Sequence, residues 1–395
     1  MEAVFYRELA YVFGAALVGG IVARLMRQPL ILGYVVGGIL IGPFTPGPTI
    51  SSVHQFEVLA EIGVILLMYS IGLEFSFREL LEVKWVAILG APIGIALSVG
   101  LALAAGWASG WSPVQSVAIG ATISVASTMV LSKLLIDRGE LRSRHGRVMI
   151  GITLVEDLAV VILTVLLPAL GGVTGDRLLS VAWAAGKAIL ILIPVTFLAA
   201  KLVPRIMRQV SRTQSDELYL LIVLALGFVT AAVTQAIGLS LALGAFLAGM
   251  VICESDVHKT FERLLPLRDA FVALFFVTIG VLVDPRVVFH QPKLLATIVL
   301  LVVLGKFLVW TGVVWLFRYP LRTAVWVGIG LTQIGEFSYV LVRVARDAHI
   351  VGGEVYNAVL AASVVSIVLN GLALRLLPKS TPGSHRAGPA PSSPA

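Results

Sequence analysis

Residues 32–38 read LGYVVGG, and residues 243–249 read LGAFLAG. The likeness returns further along. Residues 65–74, ILLMYSIGLE, lie over 273–282, ALFFVTIGVL, and 119–122, IGAT, lie over 329–332, IGLT. The offsets are 211, 208 and 210, nearly constant and in chain order. One such match means little in a chain rich in Gly and Leu; three in register mark a repeated unit. Composition says what the unit is made of. The 395 residues are 58% hydrophobic and only 13% charged, with a mean hydropathy of +0.99, whereas a soluble domain is about 25% charged. The chain is an integral membrane protein. Apolar stretches able to cross about 30 Å of hydrocarbon fall at roughly 3–23, 29–42, 56–73, 84–107, 113–135, 146–168, 178–204, 216–236, 238–253, 266–284, 293–317, 321–345 and 353–377. The repeat begins at the second of these thirteen spans and again at the ninth. Seven crossings separate the two starts, and an odd number reverses direction. The expected fold is therefore all-α, with about 13 transmembrane helices in two inverted six-helix repeats, at 29–168 and 238–377, joined by a linker helix at 178–204. Inverted repeats are a hallmark of secondary transporters, whose sites lie near mid-depth at discontinuous helices.

Charge placement gives the orientation. With the N-terminus outside, cytoplasmic segments hold 21 of the 29 Lys and Arg, outer segments hold 6, and Lys187 and Lys306 remain inside spans. This asymmetry predicts N-out and C-in, in the cell membrane. The net charge of +7 is thus mostly a topology signal, helped by anionic inner-leaflet lipid, and gives no reason to expect nucleic acid. Cys253 is the only cysteine, which excludes an internal disulfide and a multi-cysteine metal site. The first span reads as retained rather than as a cleaved leader. The Pro-, Ser- and Gly-rich tail 378–395 reads as a disordered cytoplasmic segment.

Two spans carry the signals of broken helices. Span 5, AIGATISVASTMVLSKLL, has Thr122, Ser124, Ser127 and Thr128 at its centre; span 12, VWVGIGLTQIGEFSYVL, has Gly328, Gly330, Thr332, Gln333, Gly335 and Glu336. They occupy equivalent places in the two repeats. Hydroxyl and amide groups can satisfy backbone freed by unwinding where protein or water lines it; the blander account is that small residues let helices pack closely. The symmetric placement favours two crossing broken helices.

Ionisable residues inside spans are costly and usually functional. Glu156 and Asp157 lie at the centre of span 6 (GITLVEDLAVVIL, 151–163), Lys306 at the centre of span 11, and Glu336 just past the centre of span 12. Neighbours on a helix point about 100° apart, so one acid can turn to Lys306 and the other to a cavity. A half-desolvated carboxylate tuned near ambient pH holds a proton or a small cation, hardly both, and that competition is sufficient for antiport. Ser and Thr hydroxyls, Thr122, Ser127 and Thr128 among them, and unwound backbone can complete an oxygen shell. Lys306 and Glu336 are suited to balancing the partial charges at broken-helix ends. Lys187 reads as a snorkelling residue. Glu57, Glu61 and Asp269 lie near interfaces, and all six histidines read as loop or tail residues, with His145 and His258 placed to sense pH on the inner side. The tryptophans read mostly as markers of span ends.

These residues resemble the Kef-type branch of the monovalent cation:proton antiporter superfamily. TQIGEFSYVLV is similar to its Gln-x-Gly-Glu-Phe signature, LFFVTIGVLVDP to its Phe-Phe-x-x-x-Gly-x-x-x-Asp segment, ISVASTMVL to its Ser-Ser-Thr broken helix and VEDLAVV to its acidic pair. The resemblance implies one antiporter domain over 1–377, a homodimer, and an elevator-like core exchanging sodium or potassium for protons. It implies Asp157 as the essential ion and proton carrier, seating a monovalent cation; the ion- and proton-binding set expected around it is Glu156, Ser127, Thr128 and Thr122, with Lys306, Glu336 and Gln333 in support. Glu156 stands where members carry Asp, Asn or Gln, a departure that bears on charge per cycle. Potassium-efflux members append a nucleotide-binding regulatory domain; ending the chain after span 13 implies that such gating is missing or comes from another polypeptide. No cofactor is expected beyond the transported ions. Matching depth predicts an ion pair between Glu156 and Lys306. The alternative is sodium-coupled symport of an organic anion, which wants a roomier cavity and has no need of that pair. A channel should show a pore-lining repeat. Intramembrane proteases want Gly-x-Gly-Asp, His-Glu-x-x-His or Gly-x-Ser-Gly, none of which occurs, so the chain does not read as an enzyme.

Overall fold

A computed structural model describes residues 2–26, 28–51, 53–74, 81–170, 216–236, 240–253 and 257–378. The expected linker helix at 178–204 lies outside the described residues, as does the tail from 379. The described chain is helical throughout: α1 (Glu2–Leu25), α2 (Leu30–Leu40), α3 (Val53–Glu74), α4 (Lys84–Ile88), α5 (Gly90–Ser109), α6 (Pro113–Ser124), α7 (Thr128–Arg138), α8 (Arg144–Ala169), α9 (Asp216–Ala236), α10 (Leu241–Cys253), α11 (Val257–Val281), α12 (Val287–His290), α13 (Pro292–Leu300), α14 (Lys306–Leu316), α15 (Leu321–Gly330), α16 (Glu336–Asp347) and α17 (Gly353–Leu376). Eight helical stretches are long and apolar enough to cross a membrane, and Leu30–Leu40, Leu220–Ala236 and Leu241–Ile252 are shorter apolar helices. Every expected span other than the linker coincides with a helical segment.

Local chemistry sets the boundaries. Ser112 accepts a hydrogen bond from the Gln115 N–H and Pro113 opens α6; Ser143 accepts from the Gly146 N–H and opens α8, both N-cap geometries. Gly139 ends α7 in the left-handed region (φ 69°), where glycine is tolerated best. Between α13 and α14, residues Leu301–Gly305 form a π turn in an otherwise continuous helix.

One set of helices packs at glycine crossings. Helix α3 lies against both α10 and α11, and α2 against α1 and α11. A Cβ on Gly280 would run into the Val35 carbonyl oxygen, and one on Gly38 into that of Val277. Likewise a Cβ on Gly72 would meet the Phe246 carbonyl oxygen, and one on Gly249 that of Tyr69. Backbones approach this closely only where side chains are missing. A second set gathers α6, α7, α8, α15, α16 and α17 around the polar centre, with α8 packed on α4, α15 and α16. At one end of this set, Arg138 donates to both Glu140 oxygens (2.8 and 3.1 Å) and to the Leu374 and Leu377 carbonyls (2.5 and 3.3 Å), tying α7 to the end of α17.

The readings of five residues change. His145 is not in a loop: the Ser143 cap starts α8 one residue earlier, and His145 is buried with its ring 4.6 Å from that of Trp326. His54, His258 and His290 also fall within α3, α11 and α12. Trp310 is buried within α14 rather than at a span end, because Gly94 of α5 leaves the space its ring fills.

Candidate functional site

The site is built where two helices stop short of crossing whole. Span 5 divides into α6 and α7 around Val125–Ser127, with Val125 and Ser127 extended (φ −82°, ψ 128° and φ −75°, ψ 108°). Span 12 divides into α15 and α16 around Leu331–Gly335. The two breaks meet. Gln333 accepts the Ser127 N–H at Oε1 (2.9 Å) and donates from Nε2 to the Ser127 carbonyl (3.0 Å). A Cβ on Gly335 would collide with the Ser127 side chain, so glycine is needed for the approach. Ser127 Oγ also caps α7 by accepting the Val130 N–H (3.3 Å), while its own proton goes to Glu336 Oε2 (3.1 Å).

The acidic pair on α8 enters this crossing from one side. Glu156 is fully buried; its Oε2 accepts the Ala126 N–H (2.9 Å), freed by the break, and its Oε1 has no hydrogen-bond partner. Asp157 is 3% exposed. Among the described residues its oxygens receive only the Thr128 hydroxyl, at 3.1 and 3.3 Å. A carboxylate has room for about four hydrogen bonds, so Asp157 is left with acceptor capacity facing the break.

Lys306 is also buried, and its Nζ donates to the Gln333 carbonyl (3.1 Å). No direct Glu156–Lys306 ion pair within 4.0 Å forms among the described residues, contrary to the expectation from matching depth. The ammonium instead serves the carbonyl that unwinding leaves open. Thr122 is buried on α6, but its hydroxyl makes no hydrogen bond to the acids. The structure thus brings Asp157, Glu156, Ser127, Thr128, Gln333, Glu336 and Lys306 together and leaves Thr122 beside the centre without a bond into it.

Three residues on α17 complete the site and were not singled out from sequence. Asn370 Nδ2 donates to the Ile329 carbonyl (2.5 Å) and to Thr332 Oγ1 (3.0 Å), closing the C-terminal end of α15. Ser366 Oγ accepts the Ile334 N–H (3.4 Å), and Ser363 bonds the Tyr339 hydroxyl. Their spacing of three and four in an apolar helix puts them on one face, a signal available in the sequence. Outside the spans, Asp284 of the Phe-Phe-x-x-x-Gly segment accepts from Arg286 at its backbone N–H (2.9 Å) and Nε (3.0 Å). Desolvation opposes its charge, yet these bonds hold its carboxyl below the usual range.

Among the described residues no three His, Cys, Asp or Glu side chains are arranged to hold a metal ion. The oxygens gathered here are carboxylate and hydroxyl, the donor set of a hard cation.

An all-helical membrane chain with crossed, hydrogen-bonded helix breaks around buried acids defines an ion-carrier fold. The family model described as sodium/hydrogen exchanger, transmembrane, matches residues 12–379, and the chain belongs to that family, on its Kef-type branch. It is 38% identical over 373 residues to YbaL of Escherichia coli, which carries a cation/proton antiporter name (92% of this chain, 67% of that protein). It is 35% identical over 380 residues to K(+) efflux antiporter 5 of Arabidopsis thaliana (94% and 66%). The chain therefore spans about two thirds of the length of these relatives. The structure of the sodium proton antiporter MjNhaP1 from Methanocaldococcus jannaschii superposes with a TM-score of 0.66 at 15% identity, over 94% of this chain and 99% of that one, which is a likeness of fold.

Proposed function

We propose that the chain is a secondary antiporter exchanging a monovalent alkali cation, sodium or potassium, for protons by alternating access, with Asp157 carrying one or the other. The observation that carries this reading is the state of Asp157: a buried carboxylate at the crossing of two broken helices, held by a single hydroxyl. An empty ionised carboxylate there is costly, by several kcal/mol even after relaxation. Neutralised by a proton or an alkali ion, the core can change sides; bare, it is held back. The relatives named for cation/proton antiport and potassium efflux support the same exchange.

The inverted repeat fits the packing. Under the sequence offsets, Gly38 corresponds to Gly249 and Gly72 to Gly280. The Gly38–Gly280 crossing then maps onto the Gly72–Gly249 crossing, with Val35 and Val277 exchanging for Phe246 and Tyr69. Thirteen spans, an N-out orientation in the cell membrane, an elevator-like core and a homodimer belong to the same proposal. Organic-anion symport fits less well, since in the cavity lining Glu57, Glu61 and Glu336 outnumber the one permanent cation, Arg343, a balance that disfavours anions.

Asp157→Asn tests the reading: the amide keeps the shape and cannot alternate between ion and proton. Cation-dependent proton flux in dye-loaded proteoliposomes should vanish while the purified variant keeps its elution profile and melting curve. Full exchange by the variant would overturn the proposal.

A further inference from the structure

A cavity of about 450 Å³ enters between α3, α10 and α11 on one side and α16 and α17 on the other. His54, Glu61 and Arg343 are exposed at its mouth, and Glu336 lines its inner part; Asp157 does not line it. Glu57 and Glu61 stand one helical turn apart on α3, so the approach is acidic and concentrates cations. Glu336 presents two different oxygens: Oε2 accepts the Ser127 hydroxyl (3.1 Å), and Oε1 is buried with no side-chain or backbone hydrogen-bond partner from another residue among the described residues. The next residue along, Thr128, gives its hydroxyl to Asp157. The two carboxylates are therefore fastened to adjacent hydroxyls at the start of α7.

From this geometry we propose that Glu336 is a cation-binding residue in its own right, the first carboxylate to receive a dehydrating monovalent cation from the cavity, which then passes over the Ser127–Thr128 hydroxyls to Asp157. The proposal rests on the antiport reading and makes it one-sided. Glu336 lines the cavity together with His54 and Glu57, on the outer side by the charge count. On this proposal a cation arriving from the opposite face reaches Asp157 without crossing Glu336. Glu336 is then a binding partner for ions moving through one mouth only, distinct from a charge that merely complements the N-terminus of α16.

The test uses the full chain in oriented proteoliposomes, with proton flux followed as sodium or potassium is titrated on each face separately. Glu336→Gln keeps the shape and still accepts the Ser127 hydroxyl. It should raise the apparent KM for cation on the cavity face about tenfold, the effect of roughly 1.4 kcal/mol of lost interaction, and by less than about twofold on the opposite face. Glu336→Asp should restore part of the difference. An unchanged KM on both faces, an equal rise on both, or loss of all exchange would each overturn the proposal. Failure of the unsubstituted protein to couple cations to protons would instead overturn the antiport reading beneath it.

Discussion

Gln333→Leu is the most direct probe of the crossing, because one amide serves both backbone groups of Ser127. The substitution keeps apolar volume and orphans an N–H and a C=O on a residue only 1% exposed. Orphaned buried groups cost about 1–3 kcal/mol each, or roughly 2–6 for the pair. Side-chain bonds between membrane helices measured by double-mutant cycles average only about 0.6 kcal/mol, which would give about 1.2. The two estimates differ in whether the abandoned group finds another partner. Gly335 presses against the Ser127 side chain and Lys306 is committed to the Gln333 carbonyl, so replacements are scarce and the larger figure applies. At about 2 °C per kcal/mol for a chain this large, thermal unfolding in detergent should fall by about 4 °C or more. Proton flux should drop at least tenfold, since Asp157 and Glu336 hang from the Ser127–Thr128 hydroxyls. Gln333→Glu preserves an acceptor for the N–H but sets an anionic oxygen against the Ser127 carbonyl and adds a fourth acid near one lysine. It should transport no better than the Leu variant. If Gln333→Leu melts and transports like the unsubstituted protein, the paired amide bonds do not hold the breaks together.

Asn370→Ala removes the donors to the Ile329 carbonyl and Thr332 hydroxyl; it should cost about 1–3 kcal/mol, seen as a lower melting temperature with weaker exchange, and an unaltered melt would mean α17 does not support the break. Gly72→Ala and Gly280→Ala introduce matching collisions with the Phe246 and Val35 carbonyls. Overpacking of this kind costs about 1–3 kcal/mol, and under the proposed inverted repeat the two losses should match; a large inequality in unfolding would count against the symmetry.

Much of the site was legible because lipid makes polar residues conspicuous. Glu156, Asp157, Lys306 and Glu336 stand out in apolar spans, and the Thr–Ser and Gly–Gln clusters announced the two breaks. Depth was readable; direction around the helix axis was not. Lys306 matches Glu156 in depth, yet its ammonium goes to the Gln333 carbonyl, a partner that exists only because span 12 unwinds. The same limit hid the α17 residues: Ser363, Ser366 and Asn370 form a polar face, but nothing local says that a broken helix lies against it. His145 read as a loop residue because Ser143 and Arg144, hydrophilic neighbours, mask the start of a helix whose cap is a single hydroxyl.

The π turn at Leu301–Gly305 is one residue more than a regular helix needs, and it ends at Lys306. Such a surplus residue rotates everything after it by about 100°. The bearing of the lysine is thus fixed by how many residues precede it in the turn rather than by which ones they are. Shortening the turn by one would leave the ammonium at nearly the same height in the bilayer and aim it away from Gln333, so that an arithmetic change in the chain, with every polar group retained, would undo the electrostatic support of the crossing.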